Sequence, residues 1–271
     1  MRMSDYISVL LCAVALVAAA RTVSAKEPAM PKTDFTLAID AGHGGHDKGC
    51  SSGSNYEKNI TLDVARRLRS LIDKACGDSV KVVMTRRTDV FVPLGDRAKI
   101  ANDAQADLFI SIHVNSIDKR SKGRHLVHGA SVYTVGLHKS DANLKVAMRE
   151  NAVIELEEDF SETYQGFDPN SSESYIIFEL GQHRNMQQSI DFADLAQQEL
   201  ISTAGRADKG VRQAGFLVLW ATKMPAVLVE LDFICNAEAE RFLASEKGRQ
   251  KCAEALFNAF KTYRKNKNSV L

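Results

Sequence analysis

The sequence predicts a single α/β domain built on a largely parallel β-sheet. Short apolar runs that end in polar or glycine-rich loops alternate with amphipathic stretches of helical period, and this alternation implies right-handed crossovers between parallel strands. The 271 residues are 45% hydrophobic and 25% charged, which fits one globular domain with an insertion. The net charge is +1, so no strong electric field would draw the chain to nucleic acid or to a membrane.

The first half of the chain contains three apolar runs and two amphipathic stretches. Ile60, Val64 and Leu68 recur at helical spacing between the first two runs, which predicts a helix with one buried face. The predicted elements are strands at 35–40, 80–84 and 108–114 and helices at about 60–72 and 94–104.

The second half continues the pattern with an irregular insertion. Asn236 can cap a last helical region, since Glu238 and Glu240 follow in its first turn. The predicted elements are strands at 130–135, 215–220 and 226–233 and helices at 141–160 and 186–201, with a turn-rich segment at 161–174.

The N-terminus has the features of a secretory signal. Arg2 precedes an apolar stretch at 7–20 that is too short to span a bilayer, and Val23-Ser24-Ala25 supplies small residues before a cut. We therefore expect residues 1–25 to be a cleaved signal peptide and residues 26–34 to be a loose leader; an uncleaved N-terminal anchor is the alternative. The protein is then secreted, or periplasmic if its source has an outer membrane, with no membrane span after cleavage.

Four cysteines follow the predicted signal peptide. An oxidising compartment would permit disulfides, and four cysteines allow three pairings. A domain of this size does not need them, and the spacing does not resemble a cysteine-based zinc site. We expect Cys50, Cys76, Cys235 and Cys252 to be buried or free thiols.

Two histidines are predicted to meet at one edge of the sheet. His43 lies on the glycine-rich loop after the first strand, and His113 shares a face of the third strand with Ser111 and Asn115. Because ligands bind at the carboxyl ends of the strands in such sheets, both rings point to a common site, where neutral imidazoles are a usual zinc pair. A hydrogen-bonded core histidine is the alternative for His113.

Two glutamates complete a candidate catalytic site. Glu57 opens the first long helix directly after the His43 loop, so it can return to the same strand ends as a third metal ligand; otherwise it is an ordinary first-turn glutamate. Glu230 lies within the apolar run of the last strand, where burying an unpaired carboxylate costs several kcal/mol. Three protein ligands leave a fourth position for water, and Glu230 would be the general base for it, unless it forms a structural ion pair with Arg97.

Six motifs in combination resemble the zinc-dependent N-acetylmuramoyl-L-alanine amidases, cell-wall enzymes of the Amidase_3 type. Each motif alone is weak evidence, but the set is specific and extends from about residue 35 to the end of the chain. The motifs are Asp40-Ala-Gly-His-Gly-Gly, Glu57 before a helix, Thr85-Arg-Arg-Thr-Asp89, Leu94 with Arg97 and Ala101-Asn102, Ser111-Ile-His-Val-Asn115, and residues 225–233 around Glu230.

This resemblance implies a fold, a reaction and a cofactor. The fold is a six-stranded, mostly parallel mixed sheet flanked by helices on both faces, within a catalytic domain at residues 35–265. The reaction is hydrolysis of the amide between N-acetylmuramic acid and L-alanine in peptidoglycan. The zinc ligands fall on His43, Glu57 and His113, and the catalytic glutamate falls on Glu230. We add Asp40 and Asn115 as residues that would orient the ligands from behind.

The insertion at residues 141–189 is longer than a minimal member of the family needs. In some relatives an insertion here covers the zinc until an activator protein displaces it. We hypothesise that the acidic stretch at about 150–159, or the turn-rich segment after it, does the same and occupies the open zinc position. An exposed acidic helix with ordinary surface packing is the alternative.

Two other functions remain open from the sequence alone. A zinc peptidase acting on peptidoglycan stem peptides would use the same chemistry on another bond. A non-catalytic wall-binding module would have lost the reaction, although the sequence retains all four predicted active positions.

The basic loop at 119–124 borders the His113 strand end and would hold stem-peptide carboxylates, or else be a solvated charge run.

Overall fold

The structure is a computed structural model that describes residues 34–268, apart from residues 139, 159, 165 and 177–184. The predicted signal peptide at 1–25 and residues 26–33 of the predicted leader lie outside the described residues.

One six-stranded sheet organises the domain, with strand order β4-β1-β5-β8-β6-β7. Neighbouring strands are parallel except β6 and β8, which are antiparallel. The strands are β1 Phe35–Ala41, β4 Val80–Met84, β5 Leu108–Asn115, β6 Ala130–Val135, β7 Asp208–Ala214 and β8 Ala226–Phe233; β2 Ser51–Ser52 and β3 Asn55–Tyr56 form a separate small hairpin. The predicted mostly parallel mixed sheet is confirmed.

Helices cover both faces of this sheet, as predicted. Helices α1, α5 and α8 pack on the face that carries Ile110 and Ile112, and helices α2, α3 and α6 pack on the face that carries Phe109. The helices are α1 Glu57–Cys76, α2 Leu94–Asp103, α3 Asp141–Asn151, α4 Phe160–Thr163, α5 Met186–Ser202, α6 Leu217–Trp220, α7 Ala237–Ala244 and α8 Glu246–Asn268.

The predicted strand at 215–220 is wrong. Its apolar residues Leu217–Trp220 form the short helix α6, which buries Leu217, Val218 and Leu219 against the sheet. The sixth strand is β7, which precedes this helix and pairs with β6 at the edge of the sheet. An edge strand is half covered, so β7 needs no apolar run and gives a weak sequence signal.

The insertion is more irregular than the single helix predicted at 141–160. Helix α3 ends at Asn151, a 3₁₀ turn follows at Ala152–Leu156, and α4 is one short turn.

The predicted cap of the last helical region is confirmed, since the Asn236 side chain accepts hydrogen bonds from the backbone of Glu238 and Ala239. That region divides into α7 and α8. Cys50, Cys76, Cys235 and Cys252 are free thiols.

A buried ion pair fixes the carboxyl end of β1. Asp40 accepts hydrogen bonds from Thr85 Oγ1 (2.6 Å), Ser111 Oγ (2.6 Å) and Arg97 Nη1 (2.8 Å). Burial alone would raise the pKa of Asp40, but Arg97 and the two hydroxyls outweigh burial and lower it. Arg97 also donates to the backbone carbonyl of His43 (2.9 Å). The ion pair therefore ties β1, β5 and α2 to the loop that carries His43.

Replacing Arg97 should strongly destabilise the fold. Arg97→Met leaves Asp40 buried without a cation, so we expect the free energy of unfolding to fall by about 3–5 kcal/mol. Denaturant titration followed by circular dichroism measures this change. Lys99→Met on the same helix is the control, because the Lys99–Asp103 pair is exposed to solvent and its loss should change the free energy of unfolding far less. Equal effects of the two substitutions would contradict this interpretation.

Candidate active site

Four buried side chains meet at the carboxyl ends of β1 and β5. They are His43 from the loop after β1, Glu57 from the first turn of α1, His113 from β5 and Glu150 from α3. One nitrogen or oxygen atom from each lies within 4.8 Å of the corresponding atom of every other. The structure thus brings together the three predicted metal ligands and adds a fourth side chain from the insertion.

Glycines allow the His43 loop to approach the other residues. The backbone N–H of Gly42 donates to the carbonyl of Ile112 (3.0 Å), and a Cβ atom on Gly42 would lie 2.5 Å from the ring of His113. Gly49 has a φ of +63°, and a Cβ there would lie 2.6 Å from the Glu57 carboxylate. His43 itself has a φ of 61°, a conformation that non-glycine residues adopt at functional sites under strain.

The four side chains direct their polar atoms at one another. Glu57 Oε1 lies 3.1 Å from both His43 Nε2 and His113 Nδ1. Glu150 Oε2 lies 3.2 Å from His43 Nε2 and 3.0 Å from His113 Nδ1. His43 Nε2 and Glu150 Oε2 are buried and have no hydrogen-bond partner of good geometry among the described residues.

This donor set fits a divalent metal ion. Asp47 Oδ2 lies 2.7 Å from His43 Nδ1, which assigns a proton to Nδ1 and leaves Nε2 free to bind a cation. Two imidazole nitrogens and a carboxylate are ligands that a catalytic metal site uses. Without a cation or protons between them, the buried carboxylates and nitrogen lone pairs would repel one another.

Glu57 is held rigidly as an ionised carboxylate. Its Oε1 accepts from the backbone of Val114 (2.8 Å), and its Oε2 accepts from the backbone of Cys50 (2.8 Å). Burial would raise the pKa of Glu57, but the charge of His43 outweighs burial and lowers it far below its usual range. The site is therefore prepared for a cation before any ligand arrives.

Both histidine rings bind protons tightly when no metal is present. Burial would lower the pKa of each ring. For His43 the charge of Glu57 outweighs burial and raises the pKa well above its usual value. For His113 the neighbouring Glu150 carboxylate outweighs burial and raises the pKa to about 9. Protons and a metal ion would therefore compete for the same nitrogens.

Glu230 lies beside this group on the adjacent strand. It pairs with His113 in the register of β8 and β5, and it is fully buried. Burial and then the charge of Glu150 raise its pKa to about 8. The alternative of a structural ion pair named the wrong partner, because Arg97 binds Asp40; the cation that pairs with Glu230 is Arg149, 3.2 Å away.

Arg149 fastens the end of α3 to the site. Its guanidinium donates to the carbonyl of Ser116 (2.6 Å), to Asn115 Oδ1 (3.1 Å) and to Glu230 Oε1 (3.2 Å). It also lies 2.7 Å from the carboxylate of its own neighbour Glu150. Sequence reasoning missed Arg149, since a lone arginine beside an acidic stretch gives no signal of a contact with a strand far away in sequence.

The residues predicted to orient the ligands lie elsewhere in the network. Asp40 bonds to Thr85, Ser111 and Arg97, so it acts on His43 only through Arg97 and the backbone. Asn115 accepts from Arg149. Asp47 contacts the Nδ1 side of the His43 ring directly, and sequence reasoning missed it although it follows His43 by four residues on the same loop.

Comparison with known proteins identifies the family. The Amidase_3 model, N-acetylmuramoyl-L-alanine amidase, matches residues 37–262. The chain belongs to this family. The N-acetylmuramoyl-L-alanine amidase AmiC of Escherichia coli is 34% identical over 235 residues, which are 84% of this chain and 52% of AmiC. The chain therefore spans about half the length of that relative. The predicted family is confirmed.

Solved amidase structures share the fold of this amidase-family chain. The catalytic domain of CwlV, an N-acetylmuramoyl-L-alanine amidase from Paenibacillus polymyxa, is 26% identical and superposes with a TM-score of 0.62, covering 85% of this chain and 98% of that domain. The CwlD amidase of Clostridioides difficile, solved in complex with the GerS lipoprotein, is 21% identical with a TM-score of 0.61, covering 86% of this chain and 99% of that chain.

Among the described residues, helices long and apolar enough to cross a membrane are absent.

Metal affinity of the purified chain should keep rising with pH up to about 9. The pKa of His113 is raised to about 9, so below that pH a metal ion must displace a proton, and affinity should fall about ten-fold per pH unit for each proton displaced. Competition with a chromogenic chelator at a series of pH values measures this. Glu150→Gln should move the plateau to lower pH, because the Glu150 carboxylate raises that pKa. A wild-type plateau near pH 6.5, the usual pKa of histidine, would contradict the assignment.

Proposed function

We propose that this chain hydrolyses the amide between the lactyl group of N-acetylmuramic acid and L-alanine in peptidoglycan, using zinc held by His43, Glu57 and His113. The observation that carries this proposal is the convergence of two imidazole nitrogens and an ionised carboxylate beside the buried Glu230. Family membership supplies the reaction, and the nitrogen and oxygen donors support zinc, which favours such ligands in tetrahedral sites.

The protein's own residues account for the proton transfers. When bound, the metal would lower the pKa of a water molecule and polarise the scissile carbonyl. Glu230 accepts the proton of the attacking water and delivers it to the leaving nitrogen of L-alanine. Burial is the largest cause that raises the pKa of Glu230, and a carboxyl group that titrates closer to neutral pH can take and return a proton. Glu57, His43 and Asp47 remain fixed and keep the site in one geometry.

We assign the catalytic domain to residues 35–265 and the signal peptide to residues 1–25. The protein then works outside the cytoplasm, where peptidoglycan lies, and in the periplasm if its source has an outer membrane. The insertion at 141–189 is the regulatory segment of this domain.

Glu150 supports a blocking role for the insertion. Its carboxylate stands with the predicted ligands, where it would occupy the position that a three-ligand site leaves for water. Arg149 meanwhile holds Glu230 and the carbonyl of Ser116. One turn of α3 therefore engages both the metal position and the general base, and substrate has no access while it stays there.

The chain after Glu150 anchors this blocking turn to helix α2. Glu157 Oε1 accepts from the backbone of Leu94 at the start of α2 (2.9 Å), and Tyr164 OH accepts from the backbone of Gly95 (3.2 Å). Release of the site requires these bonds to break. We propose that an activator protein displaces the segment; the complex of CwlD with a lipoprotein gives a precedent for a protein partner in this fold.

Glu230→Gln should abolish turnover and leave metal binding intact. The amide keeps the size of the side chain but cannot accept the proton, so we expect kcat to fall by about 10²- to 10⁴-fold. The substitution is made in a Glu150→Ala background, in which the site is open, and products from purified peptidoglycan are analysed by mass spectrometry.

The products also separate the alternative functions. An amidase releases peptides with an L-alanine amino terminus and leaves muramic acid free of peptide. New amino termini within the stem peptide would instead indicate a peptidase. Binding to peptidoglycan without products, unchanged by chelator or added zinc, would indicate a non-catalytic module and refute the proposal.

Glu150→Ala should raise basal hydrolysis. Removing the carboxylate opens the fourth position and weakens docking of α3, and a coupling of ordinary size predicts a gain of about 5- to 150-fold. Dye release from labelled sacculi measures the rate. Glu155→Ala is the matched control, since Glu155 is an exposed glutamate of the same segment outside the site. Unchanged activity of a folded, metal-loaded Glu150→Ala protein would rule out the blocking role.

A further inference from the structure

A polar groove of about 410 Å³ lies among three loops at the carboxyl edge of the sheet. One wall is the β2–β3 hairpin, the second is the loop after β5, and the third is the junction of β8 and α7. The lining side chains that matter here are Ser51, Ser52, Lys119, Arg124, His125 and Glu240.

This groove adjoins the proposed catalytic site through the backbone. Ser51 follows Cys50, whose N–H donates to Glu57 Oε2 (2.8 Å) and whose thiol donates to the carbonyl of Val114 (2.9 Å). The loop that carries Lys119 leaves β5 directly after Asn115, two residues beyond His113. A peptide that extends from the scissile amide by two or three residues, at about 3.3 Å per residue, has the reach to enter such a neighbouring groove.

The walls of the groove are fixed by hydrogen bonds. His125 Nδ1 bonds to the carbonyl of Cys235 (2.9 Å), and Asn236 Nδ2 donates to the carbonyl of His125 (2.7 Å). Glu240 Oε1 accepts from Asn55 Nδ2 (2.9 Å), which joins α7 to the hairpin. The groove is therefore formed before a ligand binds, which reduces the entropy cost of binding.

Two cations of the groove have no carboxylate in direct contact among the described residues. In the described part of the chain, Lys119 and Arg124 form no ion pair within 4 Å, whereas their neighbour Arg120 pairs with Asp118. Arg124 Nε is buried and has no hydrogen-bond partner among the described residues. Glu240 keeps its negative charge, since its partner Asn55 is neutral, but two cations against one carboxylate leave the groove lining positive.

We propose that this groove binds a free carboxylate on the peptide side of the substrate, through Lys119 and Arg124, with Ser51 and Ser52 as hydroxyl donors. The proposal rests on the proposed amidase function. The ligand class is an acidic peptide that begins with L-alanine and carries a carboxylate in the next residue. Such a contact would select muramoyl peptides over muramoyl-L-alanine alone, because a charge-assisted hydrogen bond is stronger than a neutral one.

Calorimetry on the full chain tests this binding without any turnover. The probe is L-alanyl-D-glutamate, compared with the same dipeptide whose carboxylates are converted to amides. We expect the acidic dipeptide to bind at least about ten-fold more tightly, the loss typical of one charged hydrogen bond. Arg124→Gln should weaken its binding by a similar factor and reduce the salt dependence. Lys122→Gln is the matched control, since Lys122 is an exposed cation of the same loop outside the groove lining.

Kinetics provide a second, independent measurement. The measurement compares kcat/KM for a muramoyl dipeptide with kcat/KM for muramoyl-L-alanine, both in the Glu150→Ala background. Arg124→Gln should reduce the preference for the dipeptide by about ten-fold, because it raises the KM for that substrate. Equal binding of the acidic and amidated dipeptides, or equal effects of Arg124→Gln and Lys122→Gln, would overturn the proposal. Selective binding of the acidic dipeptide by a chain that hydrolyses no muramoyl amide would instead overturn the amidase function and leave the groove assigned.

Discussion

The structure depends on one electrostatic constraint. Several carboxylate oxygens and imidazole nitrogens are buried close together, and all of them attract positive charge. Glu57, Glu150, His43 and His113 bring two carboxylates and two ring nitrogens to within 4.8 Å of one another, away from solvent. Such a group is stable only with positive charge among them, as protons on the rings or as a metal ion. The raised pKa of each ring and the fit to a metal are therefore two consequences of the same arrangement.

The fold holds this unfavourable arrangement by rigid attachments on every side. Parallel strands β1, β5 and β8 end at the same edge, so His43, His113 and Glu230 arrive there without long loops. Backbone N–H groups fix Glu57, and the buried Asp40–Arg97 pair fixes the His43 loop by a carbonyl contact. These attachments fix the positions of the candidate metal ligands. If the ligands moved apart, they could no longer bind one metal ion.

The sequence predicts the parts of this site that arise from regular structure. His43, Glu57 and His113 follow from the rule that strand ends share an edge, and Glu230 follows from a carboxylate within an apolar run. The sequence identifies the insertion only as a region, because an acidic helix that docks and one that faces solvent have the same local pattern. β7 gives a weak sequence signal because an edge strand needs few apolar residues. Asp47 and Arg149 give none, because their roles depend on where the loop and the helix lie.

Adjacent residues of α3 contact two different parts of the candidate site. Glu150 contacts the ring nitrogens while Arg149 contacts Glu230, so each residue satisfies a buried charge that the other does not. In the proposed mechanism, moving α3 away would expose the metal position and free Glu230 in the same step, and returning it would restore both contacts. The proposed blocked and open states would then differ by one helical turn with two charge contacts, which favours a switch between two discrete states over gradual tuning.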